Sequence, residues 1–132
     1  MKRCPPKQTL AERPLLTAVQ ANSLMSVFKV LANDTRLRLL HSLARSGELC
    51  VNEIAAALEM KPQAISNQLQ RLVDRGILGC RRTGNHVRYR IIDQCMILIL
   101  EQGLCLSECT ETRLPLPALA TSGSPSPEDV MT

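Results

Sequence analysis

From Thr17 onward, apolar residues recur at three- and four-residue steps: Val19, Leu24, Val27, Phe28 and Leu31. That spacing predicts an amphipathic helix with Thr17 at its N-cap. A second helix follows in DTRLRLLHSLARSG, capped by Asp34, with Leu37, Leu40 and Leu43 turned inward and Gly47 ending it. The extended piece ELCV leads to a third helix, NEIAAALEM, opened by Asn52. Pro62 suits the first turn of a fourth, PQAISNQLQRLVDRG, which Gly76 stops. Ile65, Leu69 and Leu72 make one side of that fourth helix apolar and leave the other polar. Two short helices with this asymmetry and a tight connection outline a helix-turn-helix. The period then shortens. ILGCRRTGNHVRYRII predicts two strands, Ile77 to Arg82 and Val87 to Ile92, around Thr83-Gly84-Asn85-His86, where Gly84 and Asn85 tolerate positive φ. The expected fold is mainly α with a small β-hairpin, a winged helix-turn-helix.

The last periodic segment, DQCMILILEQGLCLSEC, is apolar all round at CMILIL, so it cannot lie exposed on a monomer. Together with the first helix it is what remains to build a two-fold dimer, and Gly103 would allow close approach of a partner. Residues 1–16 carry three prolines and little periodicity and are expected to form a loose arm; the domain runs over 17–110; the Pro/Ser-rich tail, 111–132, is expected to be disordered. With one Phe, one Tyr and no Trp, the core must be aliphatic. No stretch approaches the roughly 18 uncharged apolar residues of a membrane span, and the opening segment has no apolar h-region. A cytosolic setting with no membrane partner is the expectation, and there cysteines serve as reduced ligands or core residues rather than disulfides.

Charge changes the picture through its distribution. The net charge is +4, yet Lys61, Arg71, Arg75, Arg81, Arg82, Arg88 and Arg90 face Asp74 alone between residues 61 and 90, a local +6. A basic run on a helix-turn-helix and its wing is expected to meet nucleic acid. On the fourth helix Gln63, Ser66, Asn67 and Gln70 offer amides and a hydroxyl to base edges in a major groove. Arg71, with Arg81, Arg82 and Arg88 on the wing, offers cations to phosphates, and His86 in the wing turn is a further DNA contact. Because one such unit presents little surface, a homodimer on a palindromic double-stranded operator is expected. An enzyme is not: His41 and His86 are the only histidines, and neither belongs to a nucleophile or acid/base motif. His41 is expected to be structural.

LANDTRLRLLHSL and ELCVNEIAAALEMKPQAISNQLQRLVDRGILGCRRTGNHVRYRI resemble the ArsR/SmtB metal-sensing repressors over residues 17–110 or so. The resemblance implies a DNA-binding repressor released from its operator by a metal or metalloid ion. Asn52 replaces the second cysteine of the family's ELCVCDL box, Gln68 stands where a His is common, and Lys61 fills the usual Ser cap. The resemblance also implies Cys50 as a ligand.

The remaining candidate chemistry lies in the last helix. Cys95, Cys105 and Cys109 fall within an arc of roughly 80°, but Cys95 stands about 15 Å along the axis from Cys105, so one helix cannot close a site with all three. Antiparallel helices crossing near Gln102 would bring Cys95 of one chain level with Cys109 of the other. This pattern resembles the family's zinc sensors, with Asp93-Gln94-Cys95 as the first half and Cys105 with Cys109 as the second. Thiolates favour soft ions, so the field is Hg(II), Cd(II), Pb(II), As(III) or Zn(II). The alternative is a winged-helix repressor gated by oxidation of these thiols. Cys80, on the wing, is expected to be a small core residue.

Overall fold

The computed structural model describes residues 8–113, with side chains as far as residue 109. The chain divides into two units, residues 1–100 and 101–132. The first holds α1 (Ala18–Leu31), α2 (Asp34–Ser46), β1 (Leu49–Cys50), α3 (Val51–Leu58), α4 (Pro62–Asp74), β2 (Leu78–Thr83) and β3 (His86–Ile91). It also holds the start of α5 (Gln94–Arg113), whose residues from Glu101 onward are what the structure describes of the second. Cys4 and most of the expected tail lie outside the described residues.

Thr17 caps α1 in a reciprocal box: its hydroxyl accepts from the Gln20 N–H while the Gln20 side chain accepts from the Thr17 N–H. At α2 the cap is Asn33, not Asp34, since the Asn33 side chain accepts from the Arg36 N–H and Asp34 is already helical. The inward stripe of α2 is Leu39, Leu40 and Leu43; Leu37 lies off that stripe and is exposed. α3 opens at Cys50, two residues before Asn52, because the Glu53 carboxylate takes the Cys50 N–H and closes the first turn there. Pro62 occupies the first turn of α4, and Lys61 gives it no side-chain cap.

Leu39, Leu40, Leu43, Ile54, Ile65, Leu69, Leu72 and Leu78 are fully buried, so the core is aliphatic and gathers α2, α3, α4 and the root of β2. At about 1.5–3 kcal/mol for each such side chain, these residues hold the helix-turn-helix in place. The sheet has the order β1-β3-β2, both pairs antiparallel, so ELCV supplies a third strand to the hairpin. Only Gly84 in the wing turn has positive φ, +62°, and Asn85 does not need it. One positive residue at the first central position is the type II′ arrangement. β2 is an edge strand whose residues beyond Leu78 project from the body, and this is why Cys80 is exposed rather than in the core. His41 is likewise exposed on α2.

A different kind of surface covers α1. Val19, Leu24, Met25, Val27 and Phe28 are exposed, and only Val30 and Leu31 reach the core. Within α5, Met96 is buried while Leu98 is exposed. No helix among the described residues is long and apolar enough to cross a membrane.

Candidate nucleic-acid interface and thiol pair

With Ile65, Leu69 and Leu72 buried, the opposite side of α4 is presented to solvent, and it carries Gln63, Asn67 and Gln70 exposed and Ser66 half-buried. Gln63 Nε2 donates to Asn67 Oδ1 at 3.1 Å, one turn along. The pair is thereby oriented with a free acceptor on Gln63 and free donors on Asn67, the combination that an adenine edge requires. Gln70 behaves differently: its Nε2 donates to Asp74 Oδ1 at 2.9 Å, which draws the amide back along the helix. Gln68 does not face solvent as a reader. Its Oε1 accepts from Arg36 Nε at 2.7 Å, while Arg36 Nη1 donates to the Val30 carbonyl at 2.9 Å. One guanidinium thus ties the last turn of α1 to the middle of α4. Beside it lies a 340 Å³ cleft lined by Val30, Arg36, Arg71, Asp74 and Arg75.

On the wing, Arg82 and His86 are exposed, and Arg82 forms no ion pair among the described residues. Arg81 and Arg88, direct partners across β2 and β3, share Glu48: Arg81 Nη2 and Arg88 Nε both donate to its Oε1. Arg88 Nη2 also donates to the Glu48 carbonyl at 3.1 Å, and its Nη1 lies 3.6 Å from Glu53 Oε1. The Arg81 bond, seconded by Arg88, holds the Glu48 carboxyl below the usual glutamate range against the upward push of desolvation. Glu53 is also held low, first by the Cys50 N–H, then by the Cys50 side chain. Cys50 is therefore a half-buried residue at the root of the wing, beside Glu53 and paired with Arg88 in the sheet. Glu48, Glu53 and Arg36 were not picked out by the sequence, and Gln68 only as a departure from the family pattern, because nothing in the sequence marks a bond between residues 32 to 40 positions apart.

Cys105 and Cys109 are both free, both exposed and one turn apart on α5. Their side chains are hydrogen-bonded to each other, and that bond with the charge of Cys109 pushes the Cys105 thiol above the ordinary cysteine range. Cys95 is disulfide-bonded in this structure, and its N–H donates to Asp93 Oδ1 at 3.0 Å. As a disulfide it offers no thiolate until reduced. Among the described residues no group of three or more Cys, His, Asp or Glu is assembled to hold a metal.

The sequence profile of the bacterial regulatory proteins of the arsR family matches residues 33–78, the segment from the cap of α2 to the first residue of β2. The chain is also 58% identical to an antimony-specific transcriptional repressor, AntR, whose crystal structure it covers to 99% with 83% of its own length, at a TM-score of 0.72. The chain belongs to the ArsR family. Its fold is accordingly the winged helix-turn-helix of that family. A possible ArsR-family regulator from Mycobacterium bovis, a homodimeric winged helix-turn-helix DNA-binding domain, is 30% identical over 75% of this ArsR-family chain and 91% of that one, with a TM-score of 0.62. The arsenic resistance transcriptional regulator ArsR1 of Pseudomonas putida is 51% identical over 65 residues. The match to such curated relatives spans only 51–57% of their length.

Proposed function

We propose that this ArsR-family chain is a homodimeric repressor that leaves a palindromic DNA operator when Cys105 and Cys109 bind a soft metal or metalloid ion. The observation that carries the reading is the thiol pair itself, two exposed, free cysteines one helical turn apart on α5 of an ArsR-family chain. Two thiolates one helical turn apart fit a soft, thiophilic ion, and solvent, a small thiol or the second protomer supplies any further ligand. Relatives named for arsenic, cadmium and antimony support that class, which adds Sb(III) to Hg(II), Cd(II), Pb(II), As(III) and Zn(II).

The dimer is supported by the uncovered apolar face of α1, with Val19, Leu24, Met25, Val27 and Phe28 open to solvent in the single chain, and by the homodimeric neighbour. Two-fold symmetry then sets two α4 helices into successive major grooves. Gln63 and Asn67 read bases, with Ser66 and Gln70 at the margin of the read surface; Arg71, Arg82 and His86 meet the backbone. Binding of ion and of DNA oppose each other, typically by about 1–3 kcal/mol of coupling, and DNA weakens ion affinity by the same factor.

A Cys105→Ser, Cys109→Ser variant tests this. It should bind DNA from its own promoter as the parent does and stay bound when antimonite, arsenite or cadmium is added. Release of that variant by the ion at the parent's concentration would refute the assignment of these thiols. Release of the parent by the thiol oxidant diamide but by none of the ions would favour gating by oxidation instead.

A further inference from the structure

Arg81 and Arg88 stand directly opposite each other on β2 and β3. Two like charges at such a site repel, and the sheet is stable there because the Glu48 carboxylate lies against both. The two arginines are not equivalent. All three nitrogens of Arg88 are directed to acceptors on the Glu48–Glu53 segment, namely the Glu48 carboxylate, the Glu48 carbonyl and the Glu53 carboxylate, and its side chain is 32% exposed. Arg81 has Glu48 as its one ion-pair partner among the described residues, and its side chain is 58% exposed. Arg88 is thus built into the body as a strut, whereas Arg81 can swing outward without breaking anything but the Glu48 bond.

We propose that Glu48 is a built-in competitor for backbone phosphate: it holds Arg81 in the free protein and yields it to DNA, while Arg88 stays on Glu48 and Glu53 and fixes the pose of the wing. The inference rests on the DNA-binding reading and adds an affinity-limiting residue that is not itself a DNA contact. Its consequence is electrostatic. When Arg81 moves to a phosphate, one counterion leaves the DNA, but Glu48 and Glu53 are left to share Arg88 alone, and the net negative charge of that cluster draws in cations that offset part of the release. Replacing the carboxylate by a neutral amide removes that uptake. The slope of log affinity against log salt should then steepen, by at most about 0.9, the increment for one phosphate on B-DNA. Over a fourfold drop in salt, the advantage of the variant over the parent should grow, by up to about 3.5-fold.

The experiment is fluorescence anisotropy with a labelled random-sequence duplex of roughly 30 base pairs, titrated over a series of salt concentrations with parent, Glu48→Gln, Arg81→Ala and the double variant. Gln keeps an oxygen to accept from the arginines, and Glu48→Met serves if Gln fails to fold; thermal melts confirm that each variant is native. Glu48→Gln should bind more tightly with the steeper slope. Arg81→Ala alone should flatten the slope by less than the about 0.9 of an unopposed phosphate contact, and in the double variant the gain should vanish. An unchanged or shallower slope in native Glu48→Gln overturns the proposal. So does a gain that persists without Arg81, which would mean that the lost negative charge acts only as part of the general field. A parent that binds no duplex at any salt overturns the DNA reading itself; a parent that binds, loses affinity in Arg82→Ala and ignores Glu48→Gln overturns this inference alone.

Discussion

Removing the Arg36 guanidinium should loosen the recognition helix without touching its reading surface. Arg36 makes two bonds from a charged donor, to Gln68 at 2.7 Å and to the Val30 carbonyl at 2.9 Å, in a partly buried setting between α1 and α4. Hydrogen bonds of a charged group contribute about 1.5–3 kcal/mol each when well buried, and water can replace part of both here. Arg36→Met keeps the apolar stem and loses both bonds, so a cost of about 2–3 kcal/mol is expected, against a total of about 5–15 kcal/mol for a domain of this size. Gln68→Ala breaks only one of them and should cost about 1–1.5 kcal/mol. The pair should show a coupling of about 1 kcal/mol in a double-mutant cycle, since each single change destroys the same bond. Urea titration followed by far-ultraviolet circular dichroism measures all four proteins. Hydrogen exchange across residues 62–74 should become faster in Arg36→Met than in the parent at equal denaturant. A cost below about 0.5 kcal/mol for Arg36→Met, or purely additive single changes, would show that the guanidinium carries no tension between α1 and α4.

Three further outcomes follow from individual contacts. Asn67→Ala should cost about 1–3 kcal/mol on the cognate operator and little on random duplex, as measured by parallel binding titrations; equal losses on both would remove Asn67 from base reading. A Cβ placed on Gly79 would lie 2.8 Å from Ile92 Cγ2, so in Gly79→Ala the Ile92 side chain must give way and the change should cost about 1–3 kcal/mol in a thermal or urea melt, whereas Gly103→Ala meets nothing within 4 Å among the described residues and should leave the monomer fold unchanged. Because the bond to Cys109 raises the Cys105 pKa, this thiol keeps its proton at pH values where an ordinary cysteine, at about 8.5, has begun to lose it. Ion binding must expel that proton, so affinity should go on rising with pH above the ordinary thiol value, and competition titrations from about pH 6.5 to 9.5 should show no plateau below it.

Much of this molecule is written in local pattern. The apolar period of α1, α2 and α4, the Thr17 cap, Pro62 at the head of α4 and the glycine in the wing turn each act within a few residues, so composition and spacing suffice to read them. The aliphatic core followed from the near-absence of aromatic residues and from the same stripes. The thiol pair was legible too, because four residues on a helix is one turn wherever the helix lies.

Other properties had to wait for the tertiary structure. That Leu39 rather than Leu37 is buried depends on which neighbours α2 meets, and a run of leucines offers both faces equally. Cys80 is exposed because the hairpin projects its edge strand beyond the body, a matter of strand order that no local signal carries. The roles of the charged residues divided most sharply. Sequence grouped Arg81, Arg82 and Arg88 as one set of wing cations, since each is an arginine on a predicted strand. Packing separated them by giving Arg88 the acceptors of the Glu48–Glu53 segment, Arg81 a share of Glu48, and Arg82 no ion pair among the described residues. The reason is range: helices and turns are fixed by neighbours in sequence, but a guanidinium takes whichever carboxylate or carbonyl the fold brings within about 3 Å, from any distance along the chain.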